Sequence, residues 1–206
     1  MLMKRMILLV TLIFTASLYA AAQVHLPDFK LGGKAVMTDV KMKDVSGKEY
    51  SLNDLKKANG LVVIFSCNTC PFVKMWEGRY PEIKKWADEH QVGMVLVNSN
   101  YQKRDGVDSF EAMKEHAKEH NYTMPYVVDK NSRLANAFDA KTTPHVFLFD
   151  KDFTLVYKGA IDDSYQSADN VKSPYLKNAI SQLAAGKMVA KNETPPVGCS
   201  IKRKLD

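Results

Sequence analysis

The chain has 206 residues, with 29 Lys and Arg against 23 Asp and Glu and a formal charge of +6 at pH 7. Its basic residues are scattered among acids, which excludes a massed nucleic-acid face and leaves a solvated surface with a mild positive bias. Three cysteines are too few for a disulfide scaffold, so the fold must rest on one apolar core.

Residues 1–22 read as a secretory signal. Lys4 and Arg5 form a basic start, Met6 to Leu18 an apolar stretch, and Ala20-Ala21-Ala22 a small-residue cleavage site. The cut is expected after Ala22. An uncleaved anchor is the alternative, but the uncharged run from Met6 to Ala22 is at the short end for crossing a bilayer. No cysteine lies near the cut, so lipid attachment there is excluded. Export to a periplasm, or secretion, is the expectation, with no stable membrane insertion after cleavage. The remainder is long enough for one well-buried domain, expected over residues 23–186, followed by a polar tail over 187–206.

Val36 to Val40 and Lys41 to Val45 have strand character, with a turn at Ser46-Gly47-Lys48, and Ser51 can cap a helix from Leu52 to Lys57. Leu61 to Phe65 is a wholly apolar strand of the kind buried on both faces. From Pro71 to about Glu89 the apolar residues recur every three or four positions, which predicts one helix kinked around Gly78 to Pro81. Trp76, Tyr80 and Trp86 fall on its core-facing stripe. Gly93 to Val97 is the next strand, ended by Asn98-Ser99-Asn100. Asp108 or Ser109 caps a helix through His120. A short strand at Tyr126 to Val128 and a helix at Ser132 to Phe138 follow. Val146 to Phe149 and Thr154 to Tyr157 form a hairpin, and a last helix runs from Ser173-Pro174 to near Ala185. Strands joined through helices demand parallel neighbours while the late hairpin is antiparallel, so an α/β fold with a mixed sheet follows.

Between the apolar strand and the long helix stands Cys67-Asn68-Thr69-Cys70-Pro71. Two thiols at this spacing can close a small disulfide, and a thiol where a helix begins has its thiolate stabilised by free N–H groups and the helix dipole. Pro71 suits a first helical turn, since it needs no N–H there. A CxxC beside a βα pattern is a redox motif.

Here the chain resembles the thioredoxin-like redoxins grouped with the alkyl-hydroperoxide-reductase/thiol-specific-antioxidant superfamily, in the branch carrying a CNxCP motif. Four pieces carry the resemblance: Ser66 to Pro71, Met124-Pro125-Tyr126 before Asp129, Thr142 to Asp150, and Gly198 to Lys202. It implies a thioredoxin fold, with a mixed central sheet flanked by helices, an N-terminal hairpin and one inserted helix. It also implies that Thr143-Pro144 is a cis peptide bond opposite the cysteines, where Thr143 offers its backbone to a substrate strand.

The expected activity is thiol–disulfide exchange with protein or small-molecule disulfides and dithiols, in concert with a redox partner, and without a cofactor. Cys67, nearer the helix start and more exposed, attacks; Cys70 resolves. Two departures bear on this. Ser66 stands where thioredoxins usually have an aromatic residue, and Leu61 to Phe65 contains no acid. Peroxide reduction through the same Cys67 is the alternative, although Ile64 replaces the hydroxyl residue that peroxiredoxins carry three places before their reactive cysteine. A non-enzymatic binding module with a structural disulfide is a further reading.

Cys199 is expected either as a third redox thiol that pairs with Cys67 or Cys70, or as an unpaired thiol on a loose tail. Lys202-Arg203-Lys204 is expected to be solvated. Copper or zinc held by the two thiols and His145 is disfavoured, because copper-delivery relatives have a wider cysteine spacing and a more distant His; no metal site is assigned. His90, His116 and His120 are expected on solvated helix surfaces and His25 in the start of the mature chain. Asp162-Asp163-Ser164 is expected as a turn and helix entry rather than a calcium site.

Overall fold

The computed structural model describes residues 29–204, so the signal expected over residues 1–22 and His25 lie outside the described residues. A small hairpin pairs β1 (Met42–Lys43) with β2 (Glu49–Tyr50), and α1 (Leu52–Leu55) follows. Ser51 caps α1 in a reciprocal capping box with Asp54, as its position before the apolar Leu52 predicts. The strand expected at Val36 to Val40 is not formed. Met37 sits at φ 59°, which breaks an extended run, and the segment binds elsewhere, with Ala35 N–H donating to Phe153 O at 2.8 Å.

The main sheet has five strands: β3 (Gly60–Ser66), β4 (Val92–Asn98), β5 (Tyr126–Val128), β7 (His145–Phe149) and β8 (Leu155–Gly159), in the order β5-β4-β3-β7-β8. β3, β4 and β5 are parallel, while β7 runs antiparallel to β3 and β8. This is the mixed sheet of the thioredoxin-like order.

β3 is buried on both faces, and its alternation divides the core in two. Val62 and Ile64 face Trp76, Tyr80, Ile83, Leu176 and Ile180. Leu61, Val63 and Phe65 face Leu52, Leu134, Phe138 and Phe149. Burying each such side chain contributes about 1.5–3 kcal/mol.

The long helix is interrupted as expected. α2 (Pro71–Trp76) passes into a 3₁₀ turn at Glu77–Arg79 and resumes as α3 (Tyr80–Glu89), with Pro81 in the first turn of α3. Proline is tolerated there because the first helical N–H groups have no intrahelical partner. α4 (Phe110–Glu119) is capped by Ser109, α5 spans Arg133–Ala137 and α6 spans Tyr175–Ala184.

Two further short strands carry no sequence periodicity: β6 (Thr142–Thr143) and β9 (Cys199–Ser200), paired antiparallel. The segment after α6 is thereby part of the packed structure. Thr194 is buried, and its hydroxyl accepts the Ala160 N–H at 2.9 Å. Gly159, at φ +140°, makes room for it: a Cβ there would lie 2.2 Å from the Thr194 carbonyl oxygen. Ile201 is buried in the core. The solvated Lys202-Arg203-Lys204 expected from composition is corrected at Lys202 and Arg203, while Lys204 is exposed. Lys202 N–H donates to Asn100 Oδ1 at 2.8 Å, and the half-buried Arg203 bonds Asn136 Oδ1 and the Ala140 carbonyl.

Candidate active site

β3 delivers Cys67 at its C-terminal end, and Cys70 is the N-cap residue of α2, with Pro71 at the first helical position. The described thiols, Cys67, Cys70 and Cys199, are all free. Thr143, the residue before the cis Thr143-Pro144 bond, spans the cysteine pair from the opposite side. Its hydroxyl lies 3.4 Å from Cys67 Sγ, and its carbonyl accepts the Cys70 thiol at 3.0 Å. The two cysteines, Thr143 and Pro144 are thus brought together as the resemblance implied.

The expected arrangement of the sulfurs is corrected in two respects. Cys67 is the more buried of the pair, 2% exposed against 5% for Cys70, so it is not the outer sulfur here. The helix-terminal amides also go elsewhere: Val73 N–H reaches Cys70, and Phe72 N–H reaches Cys199. The reason is local. The helix begins only after Cys70, so its first free N–H groups lie one turn beyond Cys67.

The electrostatics follow from this placement. The Cys67 thiol beside it, together with Cys199's thiol and the N–H groups of Val73 and Cys199, holds Cys70 down to about 4 against its burial. Cys67 is pushed up, first by sharing a proton with Cys70, then by burial and by the charge of Asp108. The two sulfurs therefore titrate as one coupled pair, with Cys70 drawn toward thiolate by these donors and toward thiol by its bond to the Thr143 carbonyl. Cys199 is pushed up to about 11 by burial and by the neighbouring Cys70.

A buried polar network behind Cys67 went unrecognised in the sequence. Asp108 accepts from Asn68 N–H at 2.9 Å, Asn98 Nδ2 at 2.8 Å and Asn100 Nδ2 at 3.0 Å. Asn68 in turn donates from Nδ2 to Val107 O at 2.8 Å and accepts from Tyr126 OH at 2.9 Å. The network pins the loop between the cysteines to the ends of β4 and β5. The signal was present in Asn98-Ser99-Asn100 at a strand's carboxyl end, where α/β sheets place binding and catalytic groups, but pairing with Asp108 is a tertiary event.

His145 does not extend the sulfur cluster toward a metal site. Its Nδ1 accepts the Lys141 N–H at 3.1 Å, and its ring packs on Phe147 with centroids 4.5 Å apart. His116 and His120 are corrected from solvated surface residues. His116 Nε2 lies 2.7 Å from Glu77 Oε2 and His120 Nε2 3.6 Å from Glu77 Oε1, with the Glu77 side chain 5% exposed. Tyr122 OH also donates to Glu77, at 3.1 Å. Burial works to raise the Glu77 carboxyl, but the two imidazoles outweigh it and hold it below the usual range. Among the described residues, Glu77, His116 and His120 have ligand-capable atoms within 4.8 Å of one another, the spacing a metal ion could use. Asp162-Asp163-Ser164 is a turn: Asp162 accepts the Trp76 indole and Ser164 N–H groups, and Asp163 those of Lys172 and Ser173.

Comparison with known proteins agrees with this fold. An uncharacterized conserved protein from Geobacillus kaustophilus has a similar structure, with a TM-score of 0.80 and 34% identity, covering 87% of this chain and 95% of its own. A hypothetical protein from Sinorhizobium meliloti 1021 is similar with a TM-score of 0.78 and 28% identity, over 86% of this chain and 96% of its own. Peroxidoxin BcpB from Mycobacterium tuberculosis shares the fold, with a TM-score of 0.58 and 16% identity, over 76% of this chain and 97% of its own. No curated protein matches by sequence. The sequence pattern of the AhpC/TSA family matches residues 25–158. With paired thiols at the end of β3 on a thioredoxin-like fold, the chain belongs to the AhpC/TSA family of redoxins.

Proposed function

We propose that the protein is an exported thiol–disulfide oxidoreductase whose working pair is Cys67 and Cys70. The observation that carries the reading is the convergence of both sulfurs on Thr143, whose hydroxyl lies 3.4 Å from Cys67 Sγ and whose carbonyl accepts the Cys70 thiol at 3.0 Å. A thiolate is the species that attacks disulfides, and a second thiol beside it can resolve the mixed disulfide that forms.

Cys67 keeps the attacking role in this proposal. Its thiolate bonds one sulfur of a substrate disulfide and releases the other as a thiolate. Cys70 then attacks the Cys67 sulfur of that mixed disulfide, closing the Cys67–Cys70 disulfide and releasing the second substrate thiol. Run backwards, the same steps oxidise a dithiol. Thr143 and Pro144 line the place for the substrate strand. Export rests on the basic and apolar features of residues 1–22. Partners are protein or small-molecule disulfides and a redox protein that restores the dithiol.

Peroxide reduction has less support. Ile64 is fully buried in β3, so the chain offers no hydroxyl at that place before Cys67. Reduction of insulin disulfides by the protein with dithiothreitol tests the reading. Activity that disappears in Cys67→Ser is expected; an inert native protein would favour a binding module with a structural disulfide.

A further inference from the structure

The edge of Thr143 is already occupied. Residues 142–143 pair with residues 199–200, Thr143 opposite Cys199 and Thr142 opposite Ser200. This antiparallel contact is the kind an extended substrate would make by strand addition. Gly198 records how close it is: a Cβ there would lie 2.3 Å from the Thr143 carbonyl oxygen and 3.1 Å from Pro144 N, so only glycine fits. The strap is anchored on both sides. Thr194 N–H donates to Lys158 O at 3.1 Å before it, and Ile201 N–H donates to Lys141 O at 3.2 Å after it. Within it, Cys199 packs on the Cys67, Cys70 and Val73 cluster, and both its thiol and its N–H reach Cys70.

We propose that residues 198–201 are a built-in stand-in for a substrate strand, and that Cys199 is a third redox thiol that captures Cys70 in a Cys70–Cys199 disulfide, holding the groove shut. The proposal rests on the thiol–disulfide reading above and adds its regulation.

The step is an exchange and needs no further oxidant. Starting from the Cys67–Cys70 disulfide, the Cys199 thiolate attacks Cys70 Sγ. The 70–199 bond forms as the 67–70 bond breaks, and the departing electron pair goes to Cys67 Sγ, which takes up a proton. One disulfide and one thiol exist before and after. Attack of Cys67 on Cys70 reverses the step and frees the strap. In the reduced protein burial and then the neighbouring Cys70 restrain Cys199 from ionising; once Cys70 is in a disulfide, the second restraint is gone. Departure of the strap takes two donors from Cys70, which shifts thiolate character from Cys70 toward Cys67. Opening the groove and arming the attacking sulfur are thus one event.

Disulfide mapping tests this. The reduced protein is treated with oxidised glutathione, remaining thiols are alkylated, and tryptic peptides are read by fragmentation mass spectrometry. Cys199 falls on a different tryptic peptide from the other two cysteines. A Cys70–Cys199 link with alkylated Cys67 is expected in the native protein and vanishes in Cys70→Ser; in Cys67→Ser it forms instead as Cys199 displaces glutathione from a Cys70–glutathione disulfide. Complete alkylation of Cys199 in the oxidised native protein would overturn the proposal.

Gly198→Ala displaces the strap without altering any sulfur. It should lower the yield of the 70–199 link and raise insulin reduction about tenfold, the factor that ~1.4 kcal/mol of lost strand pairing corresponds to. No change in either readout would remove the strand from the proposal's logic and sink it. Absence of reductase activity in the native protein would defeat the thiol–disulfide reading alone, since the mapping reads the Cys199 link independently of turnover.

Discussion

Cys199 stands directly opposite Thr143 in an antiparallel bridge, although 56 positions of chain separate them in sequence. The C-terminal segment therefore belongs to the candidate active site. It also explains why the cysteine pair is buried, since Cys199 and Phe72 pack against it.

The charge on Cys70 can be read directly. With Cys70 held down to about 4, the thiolate ultraviolet absorbance of the reduced protein should persist on acidification to about pH 4. In Cys70→Ser that low-pH thiolate signal should be absent. In Cys199→Ser the transition should move to higher pH, because two of the Cys70 donors belong to residue 199 and the thiol is lost. A native titration midpoint in the ordinary thiol range would contradict this assignment.

Asn68 should be structurally costly to remove. Asn68→Ala removes the acceptor of the buried Tyr126 hydroxyl, which keeps only the Asn98 amide as a donor to it, and the donor to the exposed Val107 carbonyl; this costs about 1–3 kcal/mol. Urea unfolding measures it. A loss below ~1 kcal/mol, the level of an ordinary surface change, would show that the network does not hold the loop.

His145 predicts an acid-sensitive contribution to stability. Burial, then the charges of Lys158, Lys141 and Arg203, depress it from 6.5 to about 3. Below about pH 6.5 the unfolded chain binds a proton that the folded chain refuses until about pH 3. Stability from this group is fully present above that window and falls as pH drops through it, by ~1.4 kcal/mol per pH unit. Between about pH 6.5 and pH 5 the native protein should lose roughly 2 kcal/mol more than His145→Asn, which does not titrate there. Parallel urea midpoints for the two proteins across that range would refute the prediction.

Arg79 and Asp162 form a partly sealed ion pair at the kink after α2, with side chains 12% and 6% exposed. Asp162 Oδ1 also accepts the Trp76 indole N–H at 2.9 Å. Asp162→Ala would leave the Arg79 charge without its carboxylate, with only the Ser164 carbonyl still accepting from it, and the indole N–H unmatched; it should cost about 3–5 kcal/mol. Asp162→Asn can retain the indole bond and should cost less. Equal unfolding midpoints for the two variants would place the cost in the charge alone.

The order of strands and helices was readable because each main element announces itself over a short window. Leu61 to Phe65 is apolar without a break, and the stripe from Phe72 to Trp86 repeats at helical spacing. The paired thiols and Thr143-Pro144 were readable for a different reason, since they are local words in the chain. The 36–40 strand failed because strand propensity there was overruled at Met37 by contacts with residue 153's neighbourhood.

Asp108, Glu77 with His116, and the seat of Cys199 were out of reach from residue order. A charged or polar side chain looks solvent-bound along the chain, and its burial depends on partners supplied by other elements. Asp108 is buried where three asparagines donate to it, and Glu77 where one imidazole and a phenol bond it and a second imidazole lies close. The bridge between β6 and β9 spans two residues a side, too few for any periodicity to show. Local chemistry thus settled that the chain carries a dithiol at the end of a buried strand. Folding in three dimensions settled which donors surround each sulfur and what covers the pair, because both depend on N–H groups and a strand that only long-range packing brings to the site.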